Sequence, residues 1–282
     1  MKKTLLFVTL AMAMVFSHAQ KKKKWDSLVD IHTPHGTMTV VLYDQTPLHK
    51  ANFLKLAREG KFDSTIFHRV IEDFMIQGGD IYRNSTTRAP DSLRIPAEIV
   101  DGLFHRKGEL AAARMGDNGN PEKKSSNCQF YIVQGKVWER KPLTVHEGKL
   151  NKTFARLMQQ GEIDSLRKAL IALQKEQKFD EMNDLITRSA PLLEEISGEK
   201  LTRDLSAEQI EAYTTVGGTP HLDGEYTVFG RVISGMDVID KIAAVPTGRA
   251  DQPLEDVHMT MEVRRMKRRK IEKQYEFEYP EN

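Results

Sequence analysis

Residues 66–80 hold one cation, Arg69, and one amide, Gln77, in a β-prone run that also carries Phe74 and Met75 and closes on Gly78-Gly79. By strand alternation Phe67 and Arg69 share one face, and Met75 and Gln77 share another. A bend at Glu72-Asp73 between the two runs aims all four toward one place. A guanidinium is a planar, permanently charged fork of donors, and an aromatic ring beside a thioether makes an apolar grip. The segment holds a grip and a donor but no nucleophile.

The elements that must position these groups are mostly strands. Residues 28–32 and 37–43 alternate as strands around the turn-rich Thr33-Pro34-His35-Gly36. Residues 47–59 predict a helix: Leu48, Ala51, Phe53, Leu54, Leu56 and Ala57 recur at roughly helical spacing, and Gly60 supplies the stop. Residues 82–92 are a polar loop, 108–115 a small-residue strand, 116–125 a longer polar loop and 127–133 another strand. Residues 235–244 predict a second helix and 257–263 a last strand. His32 and His35 have no carboxylate or cysteine cluster to complete a ligand set, so no metal is expected. Cys128 is the only cysteine; it excludes an intrachain disulfide and reads as a small buried residue.

Phe67-His68-Arg69-Val70 followed by Phe74-Met75-Ile76-Gln77-Gly78-Gly79-Asp80 resembles the signature of the cyclophilin peptidyl-prolyl isomerases. Gly108-Glu109-Leu110-Ala111-Ala112-Ala113-Arg114 with Ser126-Asn127-Cys128-Gln129-Phe130-Tyr131-Ile132 is similar to the family's central segment. His221-Leu222-Asp223-Gly224-Glu225-Tyr226-Thr227-Val228-Phe229-Gly230 is similar to a loop and strand of the same family. The resemblance implies a mainly β fold: a closed antiparallel barrel capped by two helices. It implies rotation about X–Pro bonds in unfolded or flexible proteins, assisting folding, without a cofactor. Arg69 and Gln77 match the catalytic pair, in which the glutamine holds the arginine and contacts the substrate carbonyl. Phe74, Met75, Tyr131 and Leu222 match the proline pocket, while Ala113, Arg114 and Gln129 match positions along the peptide groove. His68 matches the signature histidine, with a shaping role. Tyr131 stands where many members have phenylalanine, and His221 and Tyr226 where the best-known eukaryotic members have tryptophan and histidine; Ala113, Arg114 and Tyr226 resemble bacterial members.

Residues 136–217 interrupt this pattern with a Leu, Lys, Glu and Gln-rich run of helical period. Leu166, Ala169, Leu170 and Leu173 form one apolar stripe, and Phe179, Met182, Leu185 and Ile186 another. Thr144 with Glu147, and Ser206 with Gln209, have capping-box spacing. Three or four amphipathic helices are expected, bracketed by Gly135 and Gly218, whose insertion costs entropy only logarithmically in length. The expected organisation is a signal peptide over 1–19, barrel segments over 25–135 and 218–265 around the helical insertion, and a polar tail over 266–282. The insertion is either a second docking surface for unfolded clients or a self-packed decoration.

The 282 residues, 39% hydrophobic and 29% charged, suit a soluble globular chain with a substantial core. A net charge of +2 argues for neither nucleic acid nor stable membrane insertion, and the basic residues 264–270 read as a solvated tail. Met1-Lys2-Lys3, an apolar run over 5–16 and Ser17-His18-Ala19 have the order of a cleavable export signal. A periplasmic destination follows for a Gram-negative source, secretion otherwise. Proline-containing polypeptides are the expected partners. The reading from another class is a proline-peptide binding module or chaperone whose insertion holds clients with little turnover.

Overall fold

The computed structural model describes residues 24–83, 85 and 90–280; the expected signal peptide, the lysines before Lys24 and part of the 82–92 loop lie outside them. Alternating apolar residues build eight strands: β1 (Trp25–Thr33), β2 (Gly36–Leu42), β3 (Phe67–Ile71), β4 (Met75–Gly78), β5 (Glu109–Arg114), β6 (Ser125–Val133), β7 (Val228–Ser234) and β8 (Thr260–Lys267). They form one antiparallel sheet in the order β3-β4-β6-β5-β7-β2-β1-β8. The expected closed barrel is corrected to a curled open half-barrel with β3 and β8 at its ends. Those ends meet where residues 64–67 run beside 257–259: Ser64 N donates to Met259 O at 3.0 Å, Met259 N to Thr65 O at 2.9 Å and Phe67 N to Val257 O at 3.0 Å.

Strand alternation sorts the sheet into two apolar faces. Ile76, Leu110, Ala112, Phe130 and Ile132 belong to the main core, whereas Met75, Ala111, Ala113, Tyr131 and Val133 belong to a second cluster. Two helices cover the main core. In α1 (Pro47–Arg58) Phe53, Leu54, Leu56 and Ala57 are buried, and in α8 (Met236–Ala243) so are Val238, Ile239, Ile242 and Ala243. Thr46 makes no side-chain cap on α1. Glu98 takes that place, accepting from Leu48 N and His49 N at 3.0 Å each, so a carboxylate satisfies two first-turn donors at the positive end of the helix.

The segment expected as a solvated tail is structured. Every residue of β8 pairs with β1, from His32 opposite Thr260 to Trp25 opposite Lys267. The helix α9 (Arg268–Tyr275) follows, and Ile271 and Phe277 are buried in the second cluster. Distant acids pair with two cations of the basic run: Arg264 with Asp30, and Arg268 with Asp26 and Asp44. Burial pushes the Asp30 carboxyl up, but hydrogen bonds from Arg264 and Thr39 outweigh it and hold the group below its ordinary 3.8. A carboxylate depressed in this way stabilises the fold above its unfolded pKa and loses that contribution as pH falls through the lower folded value. Asp30→Asn therefore lowers the urea midpoint at pH 7, and its difference from wild type shrinks by pH 3; a difference independent of pH refutes the assignment.

The insertion carries α2 (Arg140–Leu143), α3 (Glu147–Gln160), α4 (Asp164–Lys175), α5 (Phe179–Arg188), α6 (Ala190–Ser197) and α7 (Ala207–Thr215), more helices than its sequence suggests. Leu150, Leu157, Leu166, Leu170 and Leu193 bury a core of their own, while Phe179 of the second stripe is exposed. Ser206 and Gln209 make the expected capping box on α7. Thr144 makes none, because Val145 is engaged in a bridge to Thr202 and α3 starts one residue after His146. At the neck Gly218 N donates to Lys136 O at 3.0 Å, and a Cβ on Gly135 would lie 2.4 Å from Gly218 Cα. The two glycines let the outgoing and returning chains touch.

Candidate active site

The site lies on the second-cluster face of three neighbouring strands. Gln77 of β4 stands opposite Tyr131 of β6 and opposite Arg69 of β3, and Met75 opposite Val133. Phe67 and Arg69 do not share a face as strand alternation suggests. A register shift between them adds a residue at His68, leaving Phe67 in the main core and turning Arg69 to the Gln77 side. The Glu72-Asp73 bend exists, with Asp73 at φ 62°. It is pinned from β6's exit: Gln134 Oε1 accepts from Asp73 N at 2.6 Å, and Phe74 O accepts from Gln134 N at 3.1 Å and Gly135 N at 2.9 Å.

The polar groups pair differently from expectation. Gln77 Nε2 donates to Gln129 Oε1 at 3.1 Å, with His68 Nε2 at 3.5 Å, whereas the Arg69 Nε donates to Asp251 Oδ2 at 3.3 Å. Arg69 and Asp251 are 42% and 47% exposed, so the guanidinium stands at an open edge. Asp251, in a short turn at φ 59°, has no sequence signal that links it to Arg69. Burial holds the His68 imidazole below its ordinary value, which favours the neutral ring.

Phe74, Leu222 and Tyr226 are partly buried against Met75 and Tyr131 in the same cluster. His221 is exposed and stacks on Phe74, with ring centroids 5.4 Å apart. Arg114 lies 4.5 Å above the Tyr226 ring centre, and its guanidinium also donates to Glu225 O at 2.8 Å and Asp117 Oδ1 at 2.6 Å. These contacts hold the Arg114 guanidinium in place. Gln77, Ala113, Arg114 and Gln129 also line an adjoining cleft of about 960 Å³. The Tyr131 hydroxyl finds its partner in His105 Nε2 at 2.9 Å, a residue the sequence did not single out.

The sequence pattern described as cyclophilin type peptidyl-prolyl cis-trans isomerase/CLD matches residues 28–181 and 202–263, most of the chain. The chain belongs to this family. Its activity is accordingly that of a cyclophilin-type peptidyl-prolyl cis-trans isomerase. The match enters the helical insertion and leaves out 182–201. The chain is 30% identical over 233 residues to a Staphylococcus haemolyticus protein described as a peptidyl-prolyl cis-trans isomerase, covering 81% of this chain and 86% of that one. It is 34% identical over 235 residues to a Streptococcus pyogenes protein described as a bifunctional phosphatase/peptidyl-prolyl cis-trans isomerase, but spans only 37% of that longer protein. A solved cyclophilin type isomerase of Cryptosporidium parvum, 19% identical, matches with a TM-score of 0.50 over 85% of this chain and 98% of that one, and so shares the fold.

Proposed function

We propose that the groove isomerises X–Pro bonds of flexible proline-containing polypeptides, with Arg69 as the donor that acts on the twisted amide. Conjugation gives the bond a barrier of ~20 kcal/mol, and no bond need break to cross it. As the amide twists, its nitrogen regains a lone pair. A guanidinium N–H aimed there interacts more strongly with the twisted than with the planar state, which lowers the barrier selectively. Asp251 accepts from Nε of Arg69, and the remaining donors of the fork serve the substrate. Phe74, Met75, Tyr131 and Leu222 clamp the proline ring while the preceding carbonyl turns. Gln77 and Gln129, joined to each other, receive the peptide backbone along the groove, flanked by Ala113, Arg114, His221 and Tyr226. The observation that carries this reading is the placement of Arg69, Gln77 and Tyr131 side by side on one sheet face. Magnetisation exchange between the cis and trans forms of a short proline peptide tests it: line exchange no faster than in buffer ends the proposal.

The order of basic, apolar and small residues over 1–19 supports a role in assisting folding outside the cytoplasm, periplasmic in a Gram-negative cell; fractionation of cells expressing the full chain tests that placement. Exposed Leu192 and Ile196, one turn apart on α6, and exposed Phe179 on α5 favour the insertion as a second contact for unfolded clients. Replacing Leu192 and Ile196 together by Glu is expected to slow catalysed refolding of a proline-limited protein several-fold while leaving short-peptide turnover intact. Equal rates on both substrates would remove the client-holding role.

A further inference from the structure

The pocket floor is tied to the helical insertion by a continuous line of side chains. Tyr213, fully buried on α7, packs its ring on Phe104 with centroids 5.5 Å apart and donates its hydroxyl to Asp223 Oδ2 at 2.6 Å. Gln209, on the same helix, donates to that oxygen at 3.3 Å. The other oxygen, Asp223 Oδ1, accepts from the His105 backbone N at 2.9 Å and meets His105 Nδ1 at 2.9 Å. A carboxylate only accepts, so Nδ1 carries the proton and, in the neutral ring, Nε2 presents its lone pair to the Tyr131 hydroxyl at 2.9 Å. The His105 and Tyr131 rings lie 11° from parallel. His105 is wholly buried and Tyr131 is 4% exposed, so the pair sits away from bulk solvent. The neck leaves no slack beside this line: a Cβ on Gly218 would meet His105 O at 2.3 Å and Tyr213 Cε1 at 2.6 Å.

The sequence of carboxylate, imidazole and hydroxyl has the order of a hydrolytic triad, but its last member is unsuited to attack. Burial pushes the Tyr131 phenol well above its ordinary value, and the hydroxyl points into the protein toward His105. The constellation holds a ring in place.

We propose that Tyr213, Asp223 and His105 are positioning residues through which the insertion fixes the Tyr131 floor of the proline pocket. This rests on the isomerase reading of that pocket. The insertion is then part of the active-site scaffold: rotation or withdrawal of α7 frees Asp223, the imidazole loses its fixed tautomer, and the Tyr131 ring loses its anchor.

The test uses the full chain and a short proline peptide. Tyr213→Phe keeps the ring and removes only the hydroxyl; it is expected to lower kcat/KM about three- to tenfold, the span of one lost hydrogen bond, through KM more than kcat. In a Tyr131→Phe background, where no hydroxyl remains to hold, the same change is expected to have no effect. An unchanged kcat/KM in the single variant, or an equal loss in both backgrounds, overturns the proposal. Asp223→Asn, compared in the same two backgrounds, serves if Tyr213→Phe does not fold. Long-range ¹H–¹⁵N spectra of His105 give a readout independent of turnover: the Nε2 resonance is expected to move in both Tyr131→Phe and Tyr213→Phe, and an imidazole unmoved by Tyr213→Phe overturns the relay. A wild type that shows this His105 response without accelerating isomerisation removes the isomerase reading and leaves the relay standing.

Discussion

Arg69→Ala lowers kcat/KM for a short X–Pro peptide by about two to three orders of magnitude, the usual cost of deleting one donor aimed at a transition state. Peptide affinity stays near that of wild type, because the apolar clamp of Phe74, Met75, Tyr131 and Leu222 is untouched. The size of the effect follows from what the reaction lacks. There is no nucleophile, no proton to transfer and no leaving group, so in the proposed mechanism the donor to the twisted nitrogen is the main chemical contribution. Arg69→Lys is expected to recover little: it keeps the charge but loses the planar fork that lets one edge engage Asp251 while another faces substrate. Exchange spectroscopy on the wild type and both variants decides the matter, and turnover that survives Arg69→Ala would move the catalytic role to another residue.

Gly135→Ala destabilises the chain by about 3 kcal/mol or more, combining left-handed strain with a backbone collision. Gly135 sits at φ 65°, and the added methyl would lie 2.4, 2.6 and 2.7 Å from Gly218 Cα, N and C. No side chain can swing aside there, since all three obstacles are backbone. Gly161 is the matched control: its φ is 75°, yet nothing lies within 4 Å of the added methyl, so Gly161→Ala costs only the conformational part, about 1 kcal/mol. Urea unfolding of the two variants measures the difference. Equal midpoints would show that the neck relaxes, and the close approach at Gly218 would then carry no energetic weight.

The sequence made legible what local pattern controls. Pro47 and Gly60 mark α1 to within a residue or two, and the neck glycines announce a junction where two chain segments touch. Gln77, Met75, Gln129 and Tyr131 fall on one face because strand alternation holds through β4 and β6. Arg69 reaches that face for a reason alternation hides: the extra residue at His68 reverses the parity set by Phe67. The remaining misses are long-range. Residues 264–270 look like a solvated cationic run until Asp26, Asp30 and Asp44 arrive from the opposite end of the chain. His105, Tyr213 and Asp251 are single polar residues in ordinary local settings, and only the fold brings each to its partner. The open sheet belongs to the same class, because closure depends on how residues 64–67 meet 257–259 in space.

The pairing of β1 with β8 governs when this protein is able to fold. A chain made from its N-terminus produces β1 early, but the strand that covers β1's outer edge, and Arg268, which neutralises Asp26 from 242 residues away, are made among the latest of the described segments. The α-helical insertion draws on near neighbours and is free to assemble during synthesis, whereas the half-barrel waits for nearly the whole polypeptide. Truncation within β8 is thus expected to leave β1 with an unpaired edge, a template for aggregation.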